Sequence, residues 1–472
     1  MATGSNVLTL AGDVTFVQLT DLPAGFADTP PARLSGVVDL GGANRTFAGV
    51  YSNQNTIGGA NVDLAIDARL TGTGGFVKGG SLADPRAWMS LTNPLNSYTG
   101  PTVLEAGSER LYLGAANVIP AASAVQVRTL SELFLTSSAV QAAGVSFSQT
   151  VGSLSDGGTP GGVVRLGWAD AAPAVLTTGG DNTSTSFAGT IVGGGALVKV
   201  GAGTFTLSGA NTYAGGTTVS AGTLMVAGQS GSASGTGTGA VVVGPAGTLG
   251  GTGQALGPVT LRGRIMGGDG VTALGSPVLT AGGITFETNS RLRVAVGGST
   301  PASAVNSRVS VGAGAFDRSA ASDVMVIELV NAGDLDLSGG STYTVTVAAY
   351  GSTNATAANF SVTAVNFALA EVPVVTVTGS GLAVRFTPAP EPAAALALAA
   401  AGLAAVGLAR LVRPRYRTAG GLTLTRARRS GSLARRTLAR VPHAAIRVRW
   451  ASSSRWVWHF DTSQVSLSSA PR

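Results

Sequence analysis

Groups able to move a proton or hold a metal are scarce in this chain of 472 residues, and they are unevenly placed. It has no cysteine, and its two histidines, His443 and His459, both lie near the C-terminus. Residues 1–388 therefore offer no imidazole for a Ser-His-Asp triad and no thiolate or imidazole ligand for zinc, so no metal or cofactor is expected. Carboxylates are the acid–base chemistry that remains. Asp334 and Asp336, in GDLDLSG, are two residues apart, which on a strand would put both on one face. A carboxyl pair at the right separation cleaves glycosidic bonds, but sequence spacing does not set that separation, and a solvated strand face is the preferred reading. GGDG, residues 267–270, has the Gly/Asp character of calcium-binding nonapeptide arrays. It is unrepeated and lacks the stacked ligands such sites need, so it reads as a turn.

The elements that would carry any such site follow from composition. Glycine supplies 69 of 472 residues, about twice the usual ~7%, and charged residues make up 11% against a typical ~25%. Such a chain needs many tight turns and few solvated helix faces. Thr and Val, abundant between the glycines, favour pleated strands, so the fold class is all-β. The net charge of +7 divides into two regions of opposite sign: residues 1–388 carry −5 and residues 389–472 carry +12. The mildly acidic body gives no reason to expect nucleic acid as a partner. The absence of cysteine suits an exported protein that needs no disulfides.

An internal repeat organises the body. NSYTGPTVLEAG at 96–107 aligns without gaps on NTYAGGTTVSAG at 211–222, a constant shift of 115 residues with six identities in twelve positions. The matched residues are Asn96/Asn211, Tyr98/Tyr213, Gly100/Gly215, Thr102/Thr217, Ala106/Ala221 and Gly107/Gly222. Each copy follows a Gly-rich run that ends in one of the only two lysines of the chain, Lys78 and Lys199. From lysine to asparagine the first copy takes 18 residues and the second 12, which reads as a loop inserted on a regular frame. Short alternating segments such as TFTL, TTV and TLMV are too short to be stable alone, and bury Val, Leu and Phe only when stacked coil on coil. At ~20–25 residues per coil, residues 1–300 make about 12–15 coils, a rod of roughly 60–70 Å. Tyr98 and Tyr213 could stack on sugars, although packing against the next coil is the commoner role of a repeated tyrosine.

The stretch GGDNTSTSFAGTIVGGGALVKVGAGTFTLSGANTYAGGTTVSAGTLMVAG, 179–228, resembles the autotransporter-associated β-strand repeat of exported bacterial passenger proteins. QTVGSLSDGG before it, and the weaker copy at 70–127, are similar to the same family, and the resemblance spans about residues 35–300. It implies a right-handed parallel β-helix displayed outside the cell. No outer-membrane β-barrel pattern follows, so self-transport is not expected. Residues 301–387 have longer alternating strands, consistent with a terminal β cap over the last coil.

Residues 388–417 read as an address. Pro390, Glu391 and Pro392 precede 17 residues, 393–409, without charge or side-chain hydrogen-bonding group, and then come Arg410, Arg413, Arg415 and Arg417. The apolar run is at the lower limit for one membrane-spanning helix, and the arginines place its C-terminal side in the cytoplasm. This order resembles the PEP-CTERM sorting signal processed by exosortase-type membrane enzymes of Gram-negative bacteria, with Pro390, Glu391 and Pro392 as the recognition motif. The resemblance implies an exosortase-like partner and a transient membrane anchor. The N-terminus lacks the basic start and apolar core of a signal peptide, so a missing upstream segment or misplaced start is expected. The basic tail, 418–472, changes composition abruptly and reads as a shifted-frame extension, with a cytoplasmic arm contacting phosphates or anionic lipid as the rival.

The sequence thus predicts a non-enzymatic, exported β-helical surface or matrix protein with structural or adhesive function, partnered by exopolysaccharide or other surface components. The alternative is a carbohydrate-active enzyme, lyase or glycosidase-like, on the same scaffold.

Overall fold

Short Thr- and Val-rich segments between glycines form strands that pair almost entirely in parallel, as stacking of successive coils requires. The computed structural model describes residues 2–17, 32–50, 56–57, 60–61, 64–79, 88–136, 146–159, 161–167, 173–228, 233–273, 275–338 and 340–390. Among these there is no α-helix, only two short 3-10 turns, Pro301–Ser303 and Ala357–Asn359. No helix among the described residues is long and apolar enough to cross a membrane. Glu391, Pro392, the apolar run 393–409, the four flanking arginines and the tail 418–472 lie outside the described residues.

In the first half, the chain alternates between two parallel stacks. Phe76–Lys78, Thr102–Leu104, Ala124–Val127 and Ser153–Ser155 build one stack. Leu64–Ile66, Trp88–Leu91, Arg110–Leu113, Glu132–Phe134, Val163–Arg165 and Thr190–Val192 build the other. One strand per stack per turn is the winding of a parallel β-helix. Leu64, Met89, Leu111, Leu133, Val164 and Ile191 fall in register one above another, all buried. Each such side chain withdrawn from water contributes about 1.5–3 kcal/mol. The residues on either side of them in each strand point outward by the period of two.

In the second half the strands lengthen and turn corners without breaking. TTV and TLMV, separate on sequence pattern, are the two ends of one strand, Thr217–Val226. It pairs first with Ala196–Lys199 and then with Thr204–Leu207. Its register against Val241–Gly251 shifts between Val219 and Ala221, at the corner.

Parallel stacking continues past residue 300. Arg291–Gly297, Met325–Asn331 and Phe360–Val365 lie side by side in parallel. The closing pairs are antiparallel: Gly381–Phe386 runs between Tyr343–Ala349 and Val374–Val377. Tyr343 and Phe386 stack at 5.6 Å, sealing the apolar interior at this end.

Candidate functional site

The repeat signature is a polar constellation that recurs in both copies, and the structure places it at coil corners. Asn96 accepts a hydrogen bond from Leu70 N on the preceding coil and donates one to Val118 O on the following coil, both 2.8 Å. Asn211 repeats this with Ile191 N and Gly235 O, both 2.7 Å. Each side chain is buried, so its amide replaces the backbone partners that the corner interrupts.

Tyr98 and Tyr213 point into the core with rings 1% and 0% exposed, and present no face to a sugar. Tyr98 OH bonds to Thr102 Oγ1 at 2.7 Å, and Tyr213 OH to Thr217 Oγ1 at 2.5 Å. Burial pushes both phenols far above the ordinary tyrosine range, only partly opposed by the threonine bond. The threonines extend each link by one coil, Thr102 to Ser123 Oγ and Thr217 to Thr236 O, each 3.0 Å. Gly100 and Gly215 are glycine because the preceding coil comes too close: an added Cβ would lie 2.4 Å from Gly75 N or 2.6 Å from Gly195 C. The asparagines, threonines and glycines of the signature thus make the coil-to-coil contacts, and the buried tyrosines brace the threonines within each corner.

The two lysines are inward-pointing and 0% and 1% exposed. Lys78 lies in register between Phe47 and Leu104, and its ammonium pairs with the buried carboxylate of Glu109. Lys199, in register with Val219, instead donates to Val200 O at 2.6 Å, Gly201 O at 2.9 Å and Ala221 O at 3.4 Å. Desolvation pulls the Lys199 ammonium below the usual lysine range, and Asp181 opposes it. Sequence reading used the lysines only as markers and missed Glu109. The signal was present: the shift of 115 residues sets Glu109 against Leu224, a charge against a core leucine.

A second feature escaped the pattern search, an aromatic row on the outward face at about one ring per coil. Trp88 and Tyr112 lie 5.9 Å apart, and Tyr112 and Phe134 stack at 4.4 Å. Arg110 caps the Trp88 ring at 4.7 Å and Arg165 the Phe134 ring at 5.4 Å, both pairing with Glu132. Burial, with the nearby charges of Arg110, Glu132 and Arg165 as smaller influences, pushes the Tyr112 phenol up to about 12.

The carboxylates singled out for acid–base chemistry occupy different surroundings from those expected. Asp334 and Asp336 follow the strand Met325–Asn331 in a loop, so the strand-face spacing does not apply. Asp336 accepts from Ser338 N at 2.9 Å and Ser341 Oγ at 3.1 Å, and hydrogen bonding by the Ser338 side chain first, then by the Ser338 backbone and Ser341, holds it below the usual carboxylate range. A general acid needs the opposite shift. Asp269, in GGDG, accepts from Val271 N and Thr272 N at 2.9 and 2.7 Å, the closed geometry of a turn. No metal-holding group of carboxylates and histidines occurs among the described residues. Pro390 is exposed at the last described position.

The passenger-associated transport repeat family matches residues 89–108 and 197–226. Each matched stretch holds one signature, Asn96 to Thr102 in the first and Asn211 to Thr217 in the second. The chain therefore carries repeats of the autotransporter-associated type, on an all-β frame of parallel strands. No curated protein matches the chain.

Proposed function

We propose that this chain is an exported surface or extracellular-matrix protein of passenger type, a β-helical rod with a structural or adhesive role. The observation that carries the reading is that both family-matched stretches place their polar signature inside, where the asparagines and threonines bond to neighbouring coils and the tyrosines brace the threonines within each corner. A repeat whose buried polar groups serve stacking suits a protein that presents a long surface. Exopolysaccharide or another surface component is the proposed partner of that surface.

Delivery follows from the C-terminal address. Pro390, Glu391 and Pro392 form the recognition motif for an exosortase-like enzyme, residues 393–409 a transient inner-membrane anchor, and Arg410, Arg413, Arg415 and Arg417 its cytoplasmic flank. Two experiments test the proposal. Exposure of the protein to neutral and acidic polysaccharides is expected to give retention without cleavage, and new reducing ends or unsaturated products would overturn the non-enzymatic reading. Mass analysis of surface-extracted protein is expected to find a C-terminus near the motif; residues 393–409 still attached would overturn the sorting step.

A further inference from the structure

Lys78 and Glu109 meet where water does not reach, at 0% and 2% side-chain exposure. An ammonium and a carboxylate in such a place each lose their hydration, a large penalty even when they are paired. Joining the two groups as a neutral amide removes both charges and most of that penalty. Amine nitrogen and carboxyl carbon are the nucleophile and electrophile that such a bond needs.

The surroundings hold the groups in place. Phe47 and Leu104 flank Lys78 in register, and Phe47 stacks on Phe76 at 4.9 Å, fixing the wall along which the lysine stem runs. Glu109 N donates to Ser131 Oγ at 3.3 Å, and that hydroxyl in turn donates to Glu105 O, so the backbone carrying the carboxyl is tied to the next coil. Groups held in contact this way react as if at an effective concentration of about 10⁵–10⁸ M.

We infer that Lys78 and Glu109 join in an intramolecular amide bond. Lys78 Nζ attacks Glu109 Cδ, forming the N–C bond; the Cδ–OH bond breaks, and a proton from the nitrogen leaves with the hydroxyl as one water. No oxidant, reductant or cofactor takes part. The bond closes a loop of 31 residues and ties the strand Phe76–Lys78 to the corner that follows Thr102–Leu104, so these two coils cannot separate without breaking a covalent bond. Lys199 is the internal control: its ammonium faces carbonyl oxygens, and Leu224 stands where the repeat shift would put Glu109.

Peptide mapping of the purified full-length protein, unfolded before digestion with trypsin, tests this directly. Acylated Lys78 resists trypsin, so the expected product is residues 70–86 joined to residues 87–110, lighter than the two together by one water. Cleavage after Lys199 is expected to be normal. Lys78→Arg is expected to restore the separate peptides at full mass. Free cleavage after Lys78 with both peptides at full mass overturns the inference.

Discussion

The two copies of the repeat share one frame and differ in how they accommodate a buried lysine. In the first, the lysine side chain meets the buried carboxyl group of Glu109 on the next corner; in the second, it meets three carbonyl oxygens. Everything else in the signature is superposable in role: the asparagine bridge, the tyrosine–threonine link and the glycine under the preceding coil. The signature therefore sets the geometry of the corner, and the lysine environment is a local choice made upon it. A substitution at a shared position should weaken both copies alike, and one at the lysine sites should not.

The largest effect is expected in the first copy. Lys78→Met leaves the Glu109 carboxyl buried without its partner, and Glu109→Leu, which imitates the second copy, strands the buried Lys78 amine; either should lower unfolding free energy by about 3–5 kcal/mol in urea titrations. Next come the asparagines. Asn96→Ala and Asn211→Ala each orphan one backbone N–H and one C=O, at about 1–3 kcal/mol per group. Equal losses are expected, and a loss in only one copy would break the equivalence of the corners.

Lys199→Met should cost less, on the order of 1 kcal/mol, because the lost ammonium–carbonyl bonds are partly offset by release from desolvation. Its signature is the pH dependence. The folded Lys199 binds its proton less tightly than the unfolded group, whose value is 10.5, so the unfolded state holds more protons between the two values. Wild-type stability should therefore gain a contribution as pH rises through the depressed value towards 10.5, and the variant should lack it. Smallest are Tyr98→Phe and Tyr213→Phe, at about 0.5–1 kcal/mol by thermal melting, since each threonine keeps its second partner.

Much of this was legible before any coordinates. A fixed shift with matching Asn, Tyr, Gly and Thr is visible in one dimension, and short alternating segments with glycine breaks imply parallel stacking. What the asparagines bridge was not legible, because their partners lie 20 to 26 residues away on coils of unequal length. Asp334 and Asp336 misled for a related reason: alternation in GDLDLSG matches a strand pattern, yet the chain leaves the sheet at Asn331, and side-chain bonds to Ser338 and Ser341 shape a loop instead. The outward row of Trp88, Tyr112 and Phe134 is spread too thinly along the sequence for a short window to show it, and only stacking brings the rings together.

The unequal coils carry a consequence for engineering. Phe76 pairs with Thr102 across 26 residues, while Leu197 pairs with Thr217, the matching position, across 20. Those six additional residues leave the register of the flanking strands unchanged. The chain takes up that extra length mainly between Lys78 and the strand Trp88–Leu91, so this interval of the first copy is a natural grafting port for a labelling tag, whereas in the second copy the strand Thr204–Leu207 follows Lys199 after only four residues and leaves no such room.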